Sequence, residues 1–309
     1  MTTYLITGGA GFIGSNLTAA LVERGATVRV LDDLSSGHRS NLDEVSSSID
    51  LHIADLRDDA ALKAACKGVD YVLHQAAIPS VIRSVREPML THDVNVNGTL
   101  RLFEAAKSAN VRRIVFAGSS AVYGDSEVLP KVESMNISPL SPYALHKAAG
   151  EYYGRLYSTL YGLDVVTLRY FNVFGRRQDP GSDYSAVIPK FIGLMRNGVA
   201  PTIFGDGSQT RDFCHIDNVV EANLAACVAP NAPGKVYNVA CGDRISVLDL
   251  VDRLNGLLGT DLTPTFADAR PGDIEHSVAG IDEARRDLGY QAEVDFTEGL
   301  RRTVAWYTR

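Results

Sequence analysis

Hydrophobic positions along the chain fall into short apolar runs separated by longer amphipathic stretches. TYLITG (3–8) has a strand pattern, and a helical pattern follows from Phe12 to about Arg24. ATVRVLD (26–32) is the next strand, so a βαβ unit opens the chain. Further strand patterns are DLHIAD (50–55), DYVLHQAA (70–77), RRIVFAGSS (112–120) and LDVVTLRYF (163–171), with helical stretches at 58–67, 91–109 and 141–161 between them. This alternation predicts an α/β fold with a doubly wound parallel sheet and helices on both faces. After Phe171 the rhythm breaks. NVFGRRQDPGSDYSA (172–186), PTIFGDGSQTRDF (201–213) and ADARPGD (267–273) are turn-rich and polar, which predicts a smaller C-terminal α/β lobe over the sheet. The helical 215–228 and strand-like YNVA (237–240) are expected to return to the main domain. The division is then 1–171 for the first domain, with 205–245 partly returning to it, and 172–309 mainly for the lobe.

The chain's 309 residues, 45% hydrophobic and 22% charged, suit such a two-part globular protein. A net charge of −7 argues against nucleic acid as the main partner, though not against a small anion met by a few local arginines. No window approaches the roughly 20 apolar residues of a membrane span, so no membrane partner is expected. No basic region precedes an apolar run at the N-terminus, and the cytoplasm is the default compartment. Cys66, Cys214, Cys227 and Cys241 lack metal or redox spacing and read as small buried hydrophobes. Neither HExxH nor clustered acids suggests a metal.

Between the first strand and helix, TGGAGFIG sets Gly8, Gly11 and Gly14 in a GxxGxxG spacing. Gly8 makes a tight turn, Gly11 admits a pyrophosphate to the backbone, and Gly14 lets helix and strand pack closely. The helix N-terminus offers N–H groups and a favourable dipole to phosphates. Asp32 ends the second strand, where an acid hydrogen-bonds a ribose 2′-OH. Strand, glycines, helix, strand and acid in that order predict a Rossmann dinucleotide site, and the carboxylate selects NAD over NADP. Asp33 could share that role. Asp55 could meet the adenine or simply cap the following helix.

By itself SPYALHK (141–147) is a partly buried tyrosine beside a solvated lysine. Ser141 is a good N-cap and Pro142 fits the first helical position, so Tyr143 and Lys147 stack one turn apart. With a dinucleotide site present the pair reads differently. GSSAVYG (118–124) ends a strand at the ligand-binding edge and places Ser119 and Ser120 beside that helix. A nearby ammonium and a positively charged nicotinamide both favour the phenolate, which predicts a lowered Tyr143 pKa. Lys147 supplies the first, and Ser119 holds the same substrate oxygen.

TGGAGFIG, SSAVYG and YxxxK resemble the extended short-chain dehydrogenase/reductases, specifically their sugar-nucleotide epimerases. The resemblance spans nearly the whole chain and includes NVNGT (95–99), LRYFNVFG (168–175), RRQDP (176–180), GDGSQTRDF (205–213) and RPGD (270–273); it is nearest to the UDP-N-acetylglucosamine 4-epimerases. It implies catalysis by Ser119, Tyr143 and Lys147. It implies NAD contacts from Gly8, Gly11, Phe12, Ile13, Gly14, Asp32, Asp33, Ser35, Gly37, Asp55, Leu56, Ala76, Ala77, Asn95, Tyr143, Lys147 and Tyr170. For a UDP-sugar substrate it implies Ser80, Val81, Ser119, Ser120, Asn172, Val187, Phe204, Arg211, Arg270, Asp273 and Ser277. Of these, Asn172, Arg211 and Arg270 would meet the diphosphate and Asp273 a ribose hydroxyl. Two guanidiniums on a pyrophosphate also make physical sense. Phe204 and Val187 could line a uracil pocket or the lobe's core.

Related dehydratases carry Thr-Asp-Glu where this chain has Ser119, Ser120 and Ala121, and related decarboxylases usually a glutamate at Ala121. Without a carboxyl there, oxidation and re-reduction at C4 is the expected chemistry. Ser277 falls where glucose-restricted members carry tyrosine, which favours UDP-GlcNAc and UDP-GalNAc, with UDP-glucose and UDP-galactose slower. Arg83 near the sugar also suits a uronic acid, keeping UDP-glucuronate or UDP-N-acetylglucosaminuronate 4-epimerase as the alternative. A non-catalytic NAD-binding sensor is a third reading; it could dispense with Tyr143, Lys147 or Ser119, and all three are present. His146 is expected to point away from Tyr143, and His74, His215 and His276 to be satisfied structural histidines. In the family this chain resembles, the helices matching 91–109 and 141–161 form a dimer interface, so the resemblance implies a homodimer, although the two helices could simply cover the sheet.

Overall fold

The computed structural model describes residues 1–181, 187–269 and 275–309. Six strands alternate with helices in the first part: β1 Thr3–Thr7, β2 Thr27–Asp32, β3 Ile49–Ile53, β4 Tyr71–His74, β5 Arg113–Ser119 and β6 Asp164–Tyr170. Val236–Val239 adds a seventh, and the order across the all-parallel sheet is 236–239, β6, β5, β4, β1, β2, β3. Order reverses at β1, which lies between β2 and β4, so a ligand crevice opens beyond its carboxyl end.

Period-two alternation explains why the sheet is covered on both faces. Leu5, Leu31, Val72, Ile114 and Val165 pack one way, with Leu62, Leu102, Phe103 and Tyr157 from helices. Ile6, Val30, Leu73, Val115 and Val166 point the other way, onto Leu17, Leu21, Val219 and Ala226. Helix Ile216–Val228 thus covers the second face together with Phe12–Glu23. A separate core of Ile188, Phe191, Leu250, Leu254, Phe296 and Leu300 builds the lobe from helices Val187–Arg196, Val247–Leu258 and Phe296–Tyr307.

Three boundaries differ from the sequence expectation. β3 stops at Ile53, so Asp55 lies in the loop beyond it. β4 stops at His74 instead of running to Ala77. The stretch expected as one helix at 91–109 is Pro88–His92, a π-helical turn Asp93–Gly98, then Thr99–Ser108. That turn carries Asn95, whose amide both accepts from Ile78 N (2.8 Å) and donates to Ile78 O (3.1 Å). A local widening of the helix at a side chain clamping a ligand-edge loop is where such turns concentrate.

Helix Pro142–Leu160 begins as its sequence dictates: Ser141 Oγ accepts Ala144 N at 3.1 Å and Pro142 opens the first turn. Its closeness to the sheet comes from two glycines one turn apart. A Cβ on Gly150 falls 2.4 Å from Phe116 Cζ, and one on Gly154 falls 2.8 Å from Val165 Cγ1. Gly150→Val should therefore push the helix off β5 and destabilise the fold by about 2–3 kcal/mol. Gly256, in helix Val247–Leu258 with nothing within 4 Å of its Cβ position, is the contrast: Gly256→Ala should stabilise by up to about 1 kcal/mol. Urea denaturation of both variants checks the pair.

Candidate active site

At the crevice, the glycine turn is held by contacts only glycine tolerates. Gly8 has φ +68° and donates its N–H to Leu31 O at 2.8 Å. A Cβ there meets the Ala76 backbone at 2.7 Å, and one on Gly14 meets Gly8 O at 2.1 Å. Gly11 ends the turn as an N-cap without a side-chain hydrogen bond, leaving the first-turn N–H groups of Phe12 and Ile13 uncapped. A cradle of this kind, with no side chain over the helix end, suits the pyrophosphate of a dinucleotide.

Asp32 is buried at the end of β2 and braces the turn, accepting Ala10 N and Leu34 N at 2.8 Å each. Burial holds its carboxyl above the usual range, partly offset by those two bonds. Exposed Asp33 instead closes a small turn on Ser35, accepting its N (2.9 Å) and Oγ (2.6 Å). Gly37 lies on the same loop, its Cβ position 2.9 Å from the Ala10 carbonyl carbon. Asn41, which the sequence reading missed, anchors it by donating to Ala10 O at 2.9 Å. The capping alternative for Asp55 is wrong: Asp58 caps the helix, accepting Ala60 N and Ala61 N, while Asp55 is gripped by Arg57. Leu56 is buried against Gly98, Ala76 is half-buried against Gly8, and Ala77 is half-buried on the loop after β4. Tyr170 is buried with its hydroxyl among Gln75 and Asn223.

β5 and the 142–160 helix bring Ser119, Tyr143 and Lys147 together. Ser119 Oγ accepts Ala121 N at 3.2 Å, and its hydroxyl lies near enough to the Tyr143 phenol to favour the ionised form. Lys147 is not solvated: it is 5% exposed, donates to Ala117 O at 2.7 Å, and sits 5.9 Å from the Tyr143 ring centroid. Burial pushes its pKa down to about 8, so the ammonium persists at neutral pH. Tyr143 departs from the expectation. Burial raises its phenol pKa, with the neighbouring Ser119 hydroxyl acting the other way. Below them His74, pushed down to about 3 by burial and Lys147, is neutral between Thr7 (2.7 Å) and Thr99 (2.9 Å).

Ser84 was also missed. Buried in the loop-side helix Val81–Arg86, it accepts Tyr143 N at 3.0 Å and donates to Val81 O at 2.6 Å. It thus caps the catalytic helix from another element. Ser80 caps its own helix, accepting Arg83 N at 3.0 Å, and Val81 is exposed. Ser120 opens the short turn Ser120–Tyr123. His146 packs edge-on against His92 at 5.3 Å, and its buried Nδ1 has no partner among the described residues.

On the lobe side, Asn172 adopts φ +31° and donates to Asp212 O at 3.1 Å. Arg211 Nη1 reaches Thr210 O (3.0 Å) and Glu275 O (3.2 Å). Ser277 N donates to Thr210 O at 3.1 Å, so Ser277 sits across from the Arg211 strand. Asp212 unites these pieces: fully buried, it accepts Cys241 N (2.9 Å), Gly242 N (3.0 Å) and Ala279 N (3.1 Å). Burial raises its pKa to about 6. Half-buried Val187 packs on the lobe core; Phe204 is half-buried and its carbonyl accepts Gln209 Nε2 at 2.7 Å. Arg270 and Asp273 lie outside the described residues.

Residues 4–240 match the model of the NAD dependent epimerase/dehydratase family. A UDP-glucose 4-epimerase from Mycolicibacterium smegmatis is 40% identical over 98% of this chain and 97% of its own length. A solved UDP-N-acetylglucosamine 4-epimerase from Methanobrevibacter ruminantium superposes with a TM-score of 0.95 at 41% identity, covering 99% of this chain and 98% of that one. The UDP-glucose 4-epimerase of Thermus thermophilus, solved with NAD, gives 0.90 at 35% identity and 99% of both chains. The chain therefore belongs to the NAD-dependent epimerase/dehydratase family, among its UDP-sugar 4-epimerases. NAD is the cofactor, and the glycine cradle with Asp32 fits it. Among the described residues no helix is long and apolar enough to cross a membrane.

Burying the Lys147 ammonium costs roughly 3 kcal/mol, judged from its depressed pKa. Lys147→Met should thus leave thermal stability at pH 7 equal or higher, even with Ala117 O unpaired, while lowering kcat by about a thousandfold or more. The depressed group's cost is full below about pH 8 and fades as pH rises towards the ordinary lysine value, so the variant's stability advantage should shrink over that range. Thermal melts across pH check the sign.

Proposed function

We propose that the chain is a cytoplasmic, homodimeric 4-epimerase interconverting UDP-GlcNAc and UDP-GalNAc, and more slowly UDP-glucose and UDP-galactose. Residues 1–171, with part of 205–245, hold NAD, and 172–309 mainly hold the UDP-sugar. The carrying observation is Ser277: a small, half-buried side chain held opposite the Arg211 strand, which leaves room for a 2-acetamido group. The structural match to a UDP-N-acetylglucosamine 4-epimerase supports the same choice. Arg83, the residue favouring a uronic acid, donates to Glu87 at 3.2 Å, which weakens that alternative.

Bound NAD supplies the capacity to accept and return a hydride at C4. Tyr143 takes the C4 hydroxyl proton as that carbon becomes a ketone, and Ser119 holds the same oxygen. Lys147 keeps a positive charge beside the phenolate in a low-dielectric setting. The 4-keto sugar turns over and is reduced on its other face, with Tyr143 returning the proton. Ser119, Ser120 and Ala121 carry no carboxyl group, so elimination has no acid or base there. Asn172, Arg211 and Arg270 hold the diphosphate and Asp273 a ribose hydroxyl, fixing the nucleotide while the sugar rotates.

For the dimer, the support is a strip of exposed apolar side chains: Leu145, Tyr152, Leu156 and Leu160 on the catalytic helix, beside Val85 and Met89. A contiguous patch of this kind on a surface helix fits a second copy of the chain. Leu156→Arg should shift the molecular mass by light scattering from dimer to monomer; a wild-type monomer contradicts the proposal.

Substrate choice is tested by kcat/KM for UDP-GlcNAc, UDP-glucose and UDP-glucuronate, with Ser277→Tyr alongside. UDP-GlcNAc should rank first in the wild type, and the tyrosine should lower kcat/KM for acetylated substrates by about a hundredfold while sparing UDP-glucose. A wild-type preference for UDP-glucose or the uronate overturns the assignment.

A further inference from the structure

On the side of the molecule formed by the C-terminal helix lies a cleft of about 510 Å³ that the reaction does not use. Five of its ten lining residues are arginines: Arg176, Arg177, Arg301, Arg302 and Arg309. In a chain of net charge −7 this is a marked local reversal. Their carboxylate partners are Glu44 on Arg177, Asp217 on Arg176 and Arg302, and Glu298 on Arg301 and Arg302. Among the described residues, five guanidiniums over three carboxylates leave an excess of positive charge in a concave site. Trp306 lies among them, its ring 5.7 Å from the Arg177 guanidinium and 5.2 Å from that of Arg309.

Backbone strain gives a second, independent observation. Arg177 has φ +65°, a left-handed conformation that is strained for a non-glycine residue. Glycine or asparagine would suit that turn at lower cost, yet an arginine stands there with its side chain only 5% exposed at the cleft's back. The turn also touches the cofactor helix just after Gly14: Asn16 Nδ2 donates to Arg176 O at 3.2 Å, and Arg177 Nη1 to Ser15 O at 3.4 Å.

From the cleft's volume, its arginine excess and the strained Arg177, we infer that it is a second anion site, binding a small phosphate-bearing polyanion. Planar guanidiniums match phosphate oxygens bidentately, and the volume admits ligands from pyrophosphate to a nucleotide.

Trp306 is the chain's single tryptophan, so its emission reports on the cleft. The test titrates the full-length, NAD-loaded protein with inorganic pyrophosphate and, separately, ADP, with sodium chloride at matched ionic strength as control. A saturable emission change is expected that weakens steeply with added salt. Arg301→Ala combined with Arg309→Ala, both exposed positions, should raise the midpoint about tenfold or more. A response to both ligands assigns recognition to the phosphates; a response to ADP alone assigns it to a nucleotide, and either supports the site. No saturable change in the wild type, an equal change with chloride, or an unshifted midpoint in the double variant overturns it.

Discussion

A single buried hydrogen bond, from the Lys147 ammonium to the carbonyl of Ala117, sets the geometry on which the chemistry depends. It ties the helix carrying Tyr143 to the strand carrying Ser119, and the absence of a Cβ at Gly150 lets the two approach closely enough to form it. The same bond orients the ammonium away from direct contact with the phenol. Burial keeps the Tyr143 phenol neutral in the protein alone; in the proposed reaction the positive charge of a bound nicotinamide would favour its phenolate.

Behind this pair, a buried polar network joins the helix carrying Lys147 to the sheet and to the segment around Gly280. Arg169 pairs with Glu151 at 2.5 Å, one face of its guanidinium over the Tyr123 ring at 4.6 Å. Tyr123 Oη donates to Asn238 Oδ1 at 2.7 Å, and Asn238 in turn donates to Lys131 O, Gly280 O and the Glu133 carboxylate. Glu151 lies one turn past Lys147 and Gly280 three residues past Ser277, so the network runs from the catalytic helix to the sugar-side segment. A buried ion pair is a weak source of stability, because desolvation offsets its attraction. Its contribution here is geometric: it fixes which registers of helix, sheet and lobe occur together.

Much of this was legible in sequence. TGGAGFIG, Asp32, Ser119 and SPYALHK each carry a local rule, a turn, an acid or a cap, and the structure brings all of them to the sheet's carboxyl edge. The lobe was less legible. Helix Val247–Leu258 has a full capping box from Ser246 and Asp249 and a left-handed Gly259 at its end, a readable signal that went unused beside the louder turn residues around it. Ser84, Asp212 and Asn238 could not be read. Each acts through partners 59, 67 and 107 residues away in sequence, and nothing in the local pattern distinguishes them from ordinary polar residues. The raised Tyr143 pKa was not legible for a related reason: spacing shows that a lysine is near, but not how deeply the phenol is buried.

In the proposed reaction one carbon is inverted by removing and returning the same hydride. Proton NMR of UDP-GlcNAc and of UDP-glucose, each incubated with the NAD-loaded protein in deuterated water, tests this directly. The C4 epimer should accumulate with protium retained at C4, since the proton proposed for Tyr143 belongs to oxygen and the hydride does not exchange with solvent. Deuterium at C4 of the epimer, or a dehydrated sugar in its place, contradicts it.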